Sequence, residues 1–430
     1  VGGGSGAITF YRLQKAGAGT TTFSGSGTNT INNTLDATAG TLTLSTNNVI
    51  TVAGNVSASS GATLNQNTAL TINGGGLLTS GTGVVNTTAG TGTVTINGTG
   101  GTIGGGGTVT IYNLVLGGSG TQTLGSDTTS STDVSVPAGK TLELGSKNLT
   151  VNGGDFTTTT TGSITCSGCT AGTVTMSTTG NLGGGSGAIT FYNLSTSGTG
   201  TTTFSGSGTN SVLNDITVGT STTLNINSSA SVAGNFNNTT TGIIGTSAGT
   251  PTLTMTGTTK TLGGGSGAIT LYALTTSGTA SVTFSGSGTN TINNNVSVGS
   301  GTTLNINSSV SIAGSLTNTT TGIIGTSAGT PTVTVNGTSV GGGSGNLTFY
   351  NLTVGVAGTV TFSGSGTNTI NNTLAVNAGT TLSINNSISI GNSLTNSTSG
   401  AITYSGTPTI TMTGTGSIGG GTTGAISIYA

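Results

Sequence analysis

The chain has 430 residues, 83 of them glycine, with no histidine or tryptophan, 3% charged residues and a formal net charge of −1. Five basic residues cannot supply the clustered positive footprint that nucleic acid requires, and without histidine a Ser-His nucleophilic centre is excluded. Disorder is disfavoured, because Val, Ile and Thr recur in short alternating runs that suit β-strands.

Taken in chain order, one stretch keeps returning. It opens the chain at 2–33, appears in a looser form from Gly104, and is clearest at 183–214, GGGSGAITFYNLSTSGTGTTTFSGSGTNSVLN. It recurs at 263–294 and 341–372, and a last fragment closes the chain at 419–429. The copies starting at 183, 263 and 341 lie 80 and 78 residues apart, so the chain is a tandem array. The predicted units are 1–103; a divergent, charged unit with both cysteines at 104–182; 183–262; 263–340; 341–418; and the start of another at 419–430. Val1 and Ala430 both fall inside repeats, so the chain reads as a processed product or a segment of something longer.

Each unit carries a finer period. Within 183–274 the apolar anchors Leu194, Ile216, Phe236, Met255 and Leu274 stand 19 to 22 residues apart, which predicts four coils per unit. The longer first unit suggests five, for about 21 coils of about 20 residues in all. Runs such as AITF (188–191) and TLTM (252–255) alternate apolar and hydroxyl residues, as half-buried strands do, and Gly and Asn supply the corners. No coil of that size buries its own apolar face, so the coils must stack. The expected fold is therefore all-β, a parallel β-helix (β-solenoid), with a rod roughly 100 Å long at about 4.8 Å per coil. A string of β-sandwich domains is the rival, disfavoured by the finer period, the lack of linkers and the scarcity of aromatics.

Runs such as FYNLTVGVAGTVTF (349–362), GTTLNINSSVSIAGSLTN (301–318) and FSGSGTNTINN (284–294) resemble the repeats of bacterial surface β-solenoid proteins, the autotransporter passenger domains and filamentous-haemagglutinin-like adhesins. The resemblance implies a right-handed parallel β-helix, secretion, and a role in adhesion or surface structure. No signal segment or membrane anchor of those families is visible, and no apolar run reaches the roughly 18 residues of a membrane span.

Few residues offer chemistry. Cys166 and Cys169 in CSGC have no histidine or further cysteine to complete a zinc site. A small disulfide in an oxidising, extracellular setting is the expected state, with two free thiols as the alternative. Six of the eleven charges, Asp127, Asp133, Lys140, Glu143, Lys147 and Asp155, cluster in the divergent unit. They read either as a contact site or, preferably, as repeat divergence with solvated side chains. No cofactor, metal or catalytic residue is expected, and the glycines of GGGSG fit a turn better than a phosphate loop. Tyr11, Tyr112, Tyr192, Tyr272, Tyr350 and Tyr429 fall at one position of the repeat and read either as a row that stacks on glycans or seals contacts between rods, or equally as residues that simply suit a strand end. Thr-x-Thr triplets such as Thr332–Thr334 raise an ice-binding reading, weighed against simple β-propensity.

No charged residue follows Lys260. A surface with so little charge lacks the repulsion that keeps proteins apart. The leading expectation is an extracellular or cell-surface structural protein, not an enzyme, that assembles with itself, end to end or laterally, into a filament, sheath or surface layer. An adhesin stalk or glycan-binding rod is the alternative, and ice binding a third.

Overall fold

The computed structural model describes residues 1–430 other than 3, 356–357, 422, 424 and 428–430. The described residues form fifty-seven strands of two to six residues and no helix. They divide into two compact units, Val1–Leu213 and Asn214–Ala430. Within each unit a strand pairs in parallel with the strand three places before it and the strand three places after it. Three strands therefore make one turn, and the chain is an all-β parallel β-solenoid of about nineteen turns with roughly 21 residues each.

In the first unit the first sheet starts with Thr9–Phe10, Thr28–Ile31 and Val49–Val52. The second starts with Leu13–Lys15, Leu35–Ala37 and Val56–Ala58, and the third with Thr20–Phe23, Gly40–Leu44 and Ala62–Gln66. The second unit follows the same cycle: Ile216–Val218 pairs with Phe236–Asn238, Thr222–Ile226 with Ile243–Gly245, and Ala230–Val232 with Thr252–Met255. Alternation sends every second side chain inward. Leu253 and Met255 are buried while Thr252 and Thr254 are half-exposed. Inward residues then stack from turn to turn, as in the column Ile31, Val52, Ile72 and Ile96, each 0% exposed. A tilted stack of Phe156, Phe191 and Phe204, with centroids 6.3 and 6.1 Å apart, continues this core. At about 1.5–3 kcal/mol for each large apolar side chain removed from water, such columns hold the coil closed.

Two expectations need correction. There are about nineteen turns, not 21, and the repeat does not contain four of them. Ile216 pairs with Phe236, but the next partner of Phe236 is Leu262, whereas Met255 belongs to the neighbouring sheet beside Val232. The evenly spaced anchors had thus crossed from one sheet to another. From Lys260–Gly263 to its counterpart Ser339–Gly341 the chain passes eleven strands, one short of four turns. The same count separates Gly100–Gly104 from Gly180–Gly183 in the first unit, so successive copies of the repeat move to a different sheet.

Candidate functional site

That phase difference decides where the tyrosines stand. In the first unit Tyr11 follows the first-sheet strand Thr9–Phe10, Tyr112 follows the third-sheet strand Thr108–Ile111, and Tyr192 follows the second-sheet strand Ile189–Phe191. They occupy three different corners of the coil and form no row. Tyr272 and Tyr350 likewise follow strands of different sheets in the second unit. Tyr429 lies outside the described residues. Each of these five tyrosines does follow a strand end whose last apolar side chain turns in, and Tyr11 is the most open, at 74%; Tyr404 instead ends a strand in register with the buried Ile384.

The glycine-rich copies build one recurring corner from three successive turns. In the copy at 263–267 the middle layer is GGGSG, the layer above it SGSGTN, and the layer below it Asn238–Gly242. Asn238 is buried; its Oδ1 accepts from Gly265 N (2.9 Å) and its Nδ2 donates to Gly242 O (2.8 Å) and Gly267 O (3.1 Å). Asn318 repeats the arrangement on Gly343, Gly322 and Gly345, and Thr158 supplies one such bond, to Gly185 N, in the first unit. Thr240 lies in the left-handed region at φ 40°, which aims its carbonyl at the backbone N and Oγ of Ser266. Gly263, at φ +100°, is obligatory, since a Cβ there would stand 2.0 Å from Ser285 O. The amides of GGGSG are thus consumed by the fold, and the motif is a stapled turn.

The charged cluster is not simply solvated. Asp133 accepts the backbone N–H of Asp155, Asp155 that of Asn181, and Asp127 that of Asn148, so each carboxylate caps the following turn. Glu143 accepts from Thr165, Ser167 and Gly145; burial raises its pKa, but these hydrogen bonds outweigh it and hold the carboxyl below its ordinary value. Lys140 is fully buried, against expectation. Its Nζ donates to the carbonyls of Gly98 and Ser119, and burial pushes its pKa down. The signal was in the alternation, for Lys140 shares the inward phase of K-T-L-E-L with Leu142 and Leu144. In the second sheet Asp36 is bound by Arg12 (2.8 Å), Thr34 and Ser57. Cys166 and Cys169 form a disulfide at a corner, and the Cys169 sulfur accepts from Ser146 N. Among the described residues no three His, Cys, Asp or Glu side chains converge on a common point.

What remains for contact is the outer surface. Thr9, Thr30, Thr51, Thr71 and Thr95 stack rung upon rung in the first unit. Thr270, Thr291, Ser311, Thr334 and Thr353 do so in the second. The hydroxyl ladders are longer than the scattered Thr-x-Thr triplets of the sequence implied.

Three parallel sheets wound from a repeating strand triplet make this chain a parallel β-solenoid. Comparisons with protein-family models, curated proteins and solved structures found no match. Among the described residues no helix is long and apolar enough to cross a membrane.

Proposed function

We propose that the chain is an extracellular structural protein whose solenoid units associate side by side into a filament, sheath or surface layer. The observation that carries this reading is the hydroxyl ladder of the second unit, Thr270 to Thr353, with no charged residue beyond Lys260 to oppose its approach. Rungs repeat at the strand spacing of about 4.8 Å, so two copies that align one rung align them all. Neutral faces carry no long-range repulsion between copies. The resemblance to bacterial surface repeats supports the same setting, and the disulfide suits an oxidising compartment.

The test is sedimentation and electron microscopy of the full chain, alone and with Thr291→Lys, Thr334→Lys and Thr353→Lys combined. The expected result is ordered assembly by the parent chain and dispersal by the charged variant. Discrete monomers of the parent chain at high concentration, or assembly indifferent to the three lysines, would end the proposal.

A further inference from the structure

The divergent second copy differs from the others in a way that creates space. Between the inward residues Leu182 and Ile189 the regular copy has six residues, but between their counterparts Ile103 and Val109 there are five. In the next turn, five residues separate Phe204 from Asn210, but three separate Leu124 from Thr128. The corner is cut back by three residues over two turns. One casualty is the serine whose N and Oγ anchor the regular corner, as Ser186 does on Thr160 O. In its place lies a groove of about 510 Å³ crossing four successive turns, roughly 14 Å along the coil at the usual strand spacing.

The groove has a defined chemistry. Its floor is the bare backbone of Gly81, Gly106 and Gly107, beside Val84. Ser126 lines it, 8% exposed, and its Oγ has no hydrogen-bond partner among the described residues. Asp127 stands over it with its two carboxylate oxygens fixed by Asn148 N and Nδ2, both at 2.9 Å, leaving acceptor capacity on each oxygen. Lys147 reaches the same groove, and its ammonium has no partner among the described residues. Thr108 adds an exposed hydroxyl.

From this arrangement we propose that the groove is a binding site for a short neutral saccharide. One carboxylate and one ammonium cancel, so the site does not select a net charge. The lining holds both acceptors and donors, Asp127, Lys147 and Thr108 among them, which suits hydroxyls, since a hydroxyl both donates and accepts. The glycine floor and Val84 give a flat, weakly apolar bed for the C–H face of a sugar ring.

The experiment titrates cellobiose, lactose and N,N′-diacetylchitobiose separately into the full chain and reads saturation-transfer NMR, which tolerates assembled protein. The parent chain should bind at least one of them with millimolar affinity. Thr108→Trp, which fills the groove from its exposed rim, should abolish transfer, and Lys147→Ala should weaken binding about tenfold, as expected for losing a charge-assisted hydrogen bond. Absence of transfer from all three sugars to the parent chain overturns the proposal, as does undiminished transfer in a folded Thr108→Trp. Should that variant misfold, Lys147→Ala decides alone, because its side chain makes no hydrogen bond or ion pair within the described fold; parental affinity there refutes the site.

Discussion

Replacing Asn318 by alanine tests whether the stapled corner governs local stability. The side chain is 3% exposed and makes three hydrogen bonds, from Gly343 N at 3.0 Å and to Gly322 O and Gly345 O at 2.6 and 3.3 Å. Truncation strands the carbonyls of Gly322 and Gly345, both on buried residues, while the half-buried Gly343 N–H can recruit water. With about 1–3 kcal/mol for each buried polar group left unpaired, the expected loss is about 3 kcal/mol. Thr158→Val, which removes a single bond to Gly185 N, should cost about 1 kcal/mol. A solenoid opens locally, so the proper assay is native-state hydrogen exchange followed by mass spectrometry. Peptides covering 316–325 and 341–349 should exchange about a hundredfold faster in Asn318→Ala, the factor equivalent to that free energy. An acceleration below about threefold, or one spread evenly over the whole chain, would refute the reasoning, because an unpaired group of this kind acts where it is buried.

Two further perturbations follow from the same geometry. Reducing Cys166–Cys169 opens a loop of only four residues, so the loss should be about 2 kcal/mol and local to the corner near Ser146; denaturation with and without reductant measures it, and a loss well above that would mean the bridge does more than close its loop. The pH response should differ between the units. In Asp36, burial is outweighed by hydrogen bonds from Thr34, Ser57 and Arg12 and by the Arg12 charge, and its pKa is lowered, as is that of Glu143. The stability both contribute is complete above the ordinary carboxylate pKa of about 4 and is lost as pH falls through their folded values. The second unit has one acidic side chain, Asp215, so acid should lower the amide protection factors of the first unit first. Lys140 acts in the opposite range: between its lowered folded pKa and 10.5 the unfolded chain holds a proton that the folded chain does not, so stability rises with pH there. Lys140→Met should flatten that alkaline slope, and an unchanged slope would contradict the buried placement.

The parallel solenoid was legible because alternation in runs such as TLTM and the tandem motif both survive on the page. The size of a turn was not. Corners differ in length, with twenty residues from Ile216 to Phe236 and twenty-six from Phe236 to Leu262, so no constant spacing follows the sheets. The tyrosine row failed for the same reason. Lys140 was legible in principle, on the inward phase of its strand, but its charge suggested solvent. Asn238 and Asn318 also sit on an inward phase, at the ends of F-N-N and L-T-N, where a polar residue signals a buried hydrogen-bonding task.

From the second copy onward eleven strands make a repeat, and eleven shares no common factor with the three that make a turn. If unequal recombination in the gene deleted or duplicated one copy, every later strand would be handed on to the adjacent side of the coil. A lineage tolerates such accidents only when its sides are interchangeable. The monotonous wardrobe of threonine, serine and asparagine on all of them is what leaves such an array free to lengthen or shorten between generations without being redesigned.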